Sequence, residues 1–163
     1  MKKGTTLFLK AALVAIALPV AALCIFLLPQ LVLEAFEQMN GENVLPFIIL
    51  GLVTVALLSA VPYYIALFQA YTLLRLIETS DAFSSASVQA LRKIKKSAFW
   101  ISLFYTIGLP FIFMVAQWDD APGLVLIGMV IVGASIVVGV FAAVLEALLQ
   151  EAITYKTENE LTI

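Results

Sequence analysis

Residues 79–96 read TSDAFSSASVQALRKIKK, the one substantial polar stretch inside the chain, and they split an otherwise apolar sequence into two halves. Four of the nine cationic residues close this stretch: Arg92, Lys93, Lys95 and Lys96. Moving outward from it, Arg75 ends the apolar run before it, Lys156 follows the last apolar run, and Lys2, Lys3 and Lys10 stand at the head of the first. If four apolar runs cross a bilayer, every cation falls on one side. The other two connections contain only Glu34, Glu37, Glu42, Asp119 and Asp120. Cations resist transfer across hydrocarbon, so this asymmetry predicts that both termini and the 79–96 segment face the cytoplasm.

Composition agrees with a lipid solvent. The 163 residues are 63% hydrophobic and 12% charged, with a mean hydropathy of +1.09. A soluble domain is about 45–50% apolar and about 25% charged. The expectation is an all-α fold: a single integral membrane four-helix bundle over residues 1–163, with spans at about 11–33, 44–68, 97–117 and 123–145. Each is long enough for the roughly 30 Å hydrocarbon core. The second run keeps helical character over 44–77, roughly 51 Å of helix. The second and fourth helices, the latter expected to reach about Tyr155, are therefore predicted to extend into the cytoplasm, with a polar, loosely ordered tail at about 156–163. Pro62 is predicted to kink the second helix. The first run also has a signal-peptide aspect, since Lys2 and Lys3 precede it. Its apolar core exceeds the usual length of about 7–15 residues, so an uncleaved span is expected. Leu23 is too large for the position before a lipidated cysteine, which argues against lipidation of Cys24.

The connections carry recognisable turn chemistry. Asn40-Gly41 marks a turn. Trp118-Asp119-Asp120-Ala121-Pro122-Gly123 predicts a tight turn in which Asp120 caps the fourth helix, Pro122 occupies its first turn and Trp118 lies at headgroup level. Ser84 or Ser85 is expected to cap a helix over about 84–96. Val88, Leu91, Ile94 and Ala98 share one face of it, with the cations around the remainder, which predicts a basic amphipathic helix on the membrane surface.

A weak internal repeat accompanies these features. The first and third spans carry Leu18-Pro19 and Leu109-Pro110, and a shift of 77 residues superimposes Gly51 on Gly128, Ala66 on Ala143, Gln69 on Glu146 and Ala70 on Ala147. A duplicated helical hairpin and chance similarity among apolar segments both account for the pattern.

Several function classes are disfavoured. The chain has no histidine and one cysteine, so the commonest general base and metal ligand are missing and no disulfide forms within it. No catalytic residue, metal site or cofactor is expected. Direct nucleic-acid contact needs a broad basic face, and only one short cluster exists. Proton or ion coupling favours ionisable groups at mid-bilayer, where this sequence has none.

Three constellations remain. Ser135, Gly139, Ala143 and Ala147 form a small-residue stripe for close helix packing, within the bundle or between subunits of a homo-oligomer. Tyr63, Tyr64, Gln69, Arg75, Glu146, Gln150 and Glu151 load the inner ends of the second and fourth helices with polar atoms, as interhelical glue or as a ligand site. Pairing of Arg75 with Glu146 or Glu151 is one expectation. Arg92, Lys93, Lys95 and Lys96 offer a basic surface for anionic lipid, for a protein partner or for the acidic 146–163 segment.

Several stretches resemble a bacterial membrane family known as domain of unknown function 2975. They are Leu18-Pro19-Val20, Phe68-Gln69-Ala70, the segment from Ala82-Phe83-Ser84 to Lys96, Asp119-Asp120-Ala121-Pro122-Gly123, Gln150-Glu151-Ala152-Ile153 and the ending Glu158-Asn159-Glu160-Leu161-Thr162-Ile163. The resemblance implies a small four-span protein of the bacterial plasma membrane. Its genes often neighbour one for a small helix-turn-helix regulator, which implies a cytoplasmic partner of that kind. No established functional residues come with it. The expected function is a noncatalytic membrane regulator or adaptor. A small-molecule permeation protein or channel and an immunity-type protein against a membrane-active peptide are the alternatives.

Overall fold

A computed structural model describes residues 3–162 of the chain, so Lys2 and Ile163, included in the charge and tail readings above, lie outside the described residues. All elements among the described residues are helical. Four long helices follow in order: α1 (Lys3–Asn40), α2 (Leu45–Glu78), α3 (Ser85–Trp118) and α4 (Gly123–Leu161), each long and apolar enough to cross a membrane. The connections are short, and successive helices run in opposite directions. The start of α1, the α2–α3 turn and the end of α4 therefore share one end, which carries the cations.

The packing order follows the chain. α1 lies against α2, α2 against α3, and α3 against α4. Among the described residues no extensive packing joins α1 to α4, so the arrangement is open on one side rather than a closed bundle. Its interior is built from small residues, including Ala35, Ala90, Ala98, Ala116 and Ala142, while Phe26 and Phe141 are 69% and 64% exposed. That inverts the soluble pattern. Lipid tails are as apolar as a phenylalanine ring, so large side chains face outward and small ones admit close helix approach. Trp100 and Trp118 are both exposed on α3. Their separation along the axis is roughly 27 Å, close to the hydrocarbon thickness expected between two interfacial aromatic belts.

α1 is interrupted by one π-helical turn, Leu23–Leu27, before the α-helix resumes at Leu28–Glu37. Pro29 is in the first turn of the resumed segment. Its ring lacks an N–H and crowds the carbonyl one turn earlier, and a widened turn relieves both problems. α2 is continuous through the buried Pro62. The helix expected over about 84–96 forms the first part of α3, which runs on through Lys96 and Ser97 without a break. The predicted apolar face is real, but Val88, Leu91 and Ala98 are buried within the protein. α4 continues past Tyr155 to Leu161, where a loosely ordered tail was expected.

Turn chemistry explains the ends. Ser84 caps α3, accepting from Ser87 N at 3.4 Å, and its own hydroxyl donates to the Asp81 carbonyl at 2.8 Å. Asp120 does not cap α4. It sits at φ 51° just after α3, and the next amide, Ala121 N, closes back on the Ala116 carbonyl at 2.9 Å. Short polar side chains tolerate this left-handed conformation, so Asp120 ends one helix instead of starting the next. Pro122 immediately precedes α4 without a side-chain cap.

A Cβ added to Gly133, at mid-α4, would meet nothing within 4 Å. Gly133→Ala is therefore expected to raise stability by about 0.5–1 kcal/mol by restricting the unfolded backbone, measurable by thermal unfolding in detergent.

Candidate functional site

Two features stand out: a set of ion pairs at the cationic end, and a cavity at the middle of the spans. At the cationic end, Arg92 and Lys95 leave α3 one turn apart on the same face. Both reach Glu146 of α4. Arg92 Nε donates to Oε1 at 2.9 Å and Lys95 Nζ to Oε2 at 2.7 Å. The Glu146 side chain is 9% exposed, against 47% for Arg92 and 39% for Lys95. The hydrogen bond from Lys95, reinforced by that from Arg92, holds the carboxyl below its ordinary value of 4.5 despite desolvation. The expected pairing of Arg75 with Glu146 or Glu151 is not formed. Glu146 faces α3, and Arg75 is on the exposed side of α2.

This splits the basic cluster in two. Arg92 and Lys95 are engaged inside the protein, whereas Lys93 and Lys96 are exposed and make no ion pair among the described residues. Docking of the basic segment on the acidic one, an open alternative in the sequence, thus occurs within the chain at one residue, Glu146.

The inner polar cluster divides as well. Tyr63 and Tyr64 donate to the Ile16 and Ala17 carbonyls of α1 at 2.8 and 3.0 Å. Further along α2, Lys10 of α1 stands 5.5 Å from the Tyr71 ring centre and 2.7 Å from Glu78 Oε2. The Lys10 hydrogen bond pulls the Glu78 carboxyl below 4.5. Tyr64, Tyr71 and Glu78 recur at heptad spacing, so one face of α2 holds α1 by polar contacts. That spacing was available in the sequence, and Glu78 is the residue the sequence reading passed over. Gln69 is half-buried on α2, while Gln150 and Glu151 are exposed on α4. The seven residues therefore do not converge on one site.

The small-residue stripe has an internal use. Gly139 packs against Ala98, to whose Cβ an added methyl would come within 3.4 Å. Ser135 and Ala143 are half-buried, and only Ala147 is exposed. Of the four, Gly139 is thus set against α3, while Ala147 lies open at the far end of the stripe.

The cavity was not foreseen. It measures about 620 Å³, is partly open, and is lined by all four helices. Its floor is α2 and α3, where Ser59 and Ala98 are buried and Tyr105 is half-buried. Its rims are Leu23 and Leu27 on α1 and Ala134 and Val138 on α4, all exposed. The π-turn of α1 supplies Leu23, Cys24 and Leu27 to the wall. Gln69 and Glu146 do not line it, so the polar path that permeation requires is not built from those residues.

The profile of the family described as "Protein of unknown function (DUF2975)" matches residues 10–163. Among curated proteins, the "Uncharacterized membrane protein YoaS" of Bacillus subtilis (strain 168) is 47% identical, over the full length of both chains. No solved structure matches the chain.

Proposed function

We infer the role of this chain from one premise: it belongs to the DUF2975 family, whose function is unknown, and it is a membrane protein with four candidate spans. The proposed role is a noncatalytic regulator or adaptor of the bacterial plasma membrane. Both termini and the cationic end face the cytoplasm, where α2 and α4 extend beyond the lipid and a cytoplasmic protein docks. A small helix-turn-helix regulator is the partner class implied by the resemblance noted above.

The length and polarity of α4 carry this reading. Its 39 residues amount to roughly 58 Å, about twice the hydrocarbon thickness. The excess presents exposed Glu151, Glu158 and Glu160 at the end of the molecule that also carries exposed Lys93 and Lys96. A long helix with acidic residues, at an end that also exposes basic ones, favours a protein contact through electrostatic complementarity. The permeation alternative draws less support, because the cavity wall is almost wholly apolar.

The test has two arms. A membrane-impermeant amine reagent should leave the lysines of intact cells unmodified and label them in inverted vesicles. Crosslinking from membranes should then capture one protein with the native chain, and Lys93→Glu with Lys96→Glu should reduce that capture about tenfold. Those two substitutions leave the Glu146 pairs intact, so folding is retained. Labelling of lysines from outside the cell, or capture unaffected by the reversals, would sink the proposal.

A further inference from the structure

We propose that the cavity between α1 and α4 holds the hydrocarbon tail of a membrane lipid, inserted sideways from the bilayer. The inference rests on the membrane reading and stands apart from the docking role, since a lipid can occupy the cavity whether or not a partner binds.

The geometry first sets the route of entry. α2 and α3 close the floor, whereas the exposed rims belong to α1 and α4, which share no extensive packing among the described residues. An opening between α1 and α4 at mid-span gives onto the hydrocarbon phase, so the occupant comes from that phase. The about 620 Å³ volume lies within the range of about 300–1,000 Å³ found for pockets that enclose small-molecule ligands.

Hydrogen-bond accounting then sets the chemistry. A hydroxyl has one hydrogen to give. That of Ser59 goes to the Ala56 carbonyl at 2.8 Å, that of Ser135 to the Ile131 carbonyl at 2.7 Å, and that of Tyr63 to the Ile16 carbonyl at 2.8 Å. Tyr105 alone retains a hydroxyl hydrogen, and Ser59 Oγ lies 3.4 Å away to receive it. The wall therefore offers an occupant methyl and methylene surface with almost no spare donors. The four hydroxyl oxygens keep acceptor lone pairs, but on a wall otherwise made of hydrocarbon they are too few to replace the shell of a hydrated ion, and a cavity this apolar favours an apolar occupant over water. A saturated or unsaturated acyl chain satisfies the wall by dispersion contact alone.

Photocrosslinking of the full chain tests this. The protein is reconstituted in vesicles of phosphatidylglycerol and phosphatidylethanolamine, doped with a phosphatidylcholine carrying a mid-chain diazirine. Adducts are mapped by proteolysis and mass spectrometry. Inward labelling is expected at Ser59 and Tyr105, besides the ordinary labelling of outward residues such as Phe141. Filling the cavity with Ala134→Phe, or with the milder Ala134→Leu if the first variant misfolds, should reduce the inward adducts about tenfold and leave those at Phe141 unchanged. Adducts confined to outward residues in the native protein would overturn the proposal. So would inward residues shielded from lipid together with Cys24–Cys24 linkage between copies, which would assign the cavity to a second chain.

Discussion

Replacing Arg92 and Lys95 together with methionine is expected to weaken the α3–α4 contact by about 3–5 kcal/mol, whereas Glu146→Gln should cost only about 1 kcal/mol. The asymmetry follows from exposure. Methionine keeps the carboxylate covered but removes both of its donors, leaving a charge that is 9% exposed without a partner. Glutamine removes the charge instead. Arg92 and Lys95 are then left unpaired, but at 47% and 39% exposure they regain water. Reversible unfolding in bicelles measures both variants. A larger loss for Glu146→Gln would show that the cations, and not the carboxylate, are the members that need the pair.

The double variant and the native chain should respond to pH in opposite directions. In the native chain the hydrogen bonds from Lys95 and Arg92 depress the Glu146 pKa below 4.5. A depressed carboxylate stabilises the fold fully above the unfolded-state value and loses that contribution as pH falls through the folded-state value. Without the cations, desolvation raises the pKa, and acid then stabilises by protonating the buried group. Stability of the double variant should therefore rise as pH falls toward the carboxylate range, while that of the native chain falls.

Features set by local chemistry were legible in the sequence. The four apolar runs, a serine cap at 84 or 85, the approximate bounds of α2 and the shared apolar face of Val88, Leu91 and Ala98 depend on neighbours along the chain. Features set by helix rotation were not. Which cation meets Glu146 depends on the face that α4 turns to α3. A helix surrounded by leucine, valine and phenylalanine gives little polarity to read that face from, because lipid accepts all of them. The sparse packing between α1 and α4, and hence the cavity, was hidden for the same reason. Asp120 was misread because an aspartate suits both a helix start and a left-handed helix end, and the choice turns on one backbone angle. The π-turn left a trace in Pro29, which the sequence reading did not use.

Gly128→Leu is expected to destabilise the protein by about 1–3 kcal/mol, while Gly51→Leu should be nearly neutral. The weak repeat aligns these two glycines, yet their surroundings differ. A Cβ at Gly128 would lie 3.0 Å from Leu109 Cδ2 and 3.2 Å from Ile112 Cδ1, where α4 meets α3. A Cβ at Gly51 would meet nothing within 4 Å. Alanine at 128 asks only for small shifts of two side-chain ends. Leucine adds a branched group to an already closed contact and has to lever α4 away from α3. The small-residue approach continues along the same helix pair at Gly139 and Ala98, so that displacement also loosens packing toward the Glu146 pairs. Unfolding measurements on both leucine variants separate the cases. Equal damage at the two positions would mean that the Gly51 face is also covered, by a second copy or another protein, and that the outer surface of α2 is an interface instead of a lipid boundary.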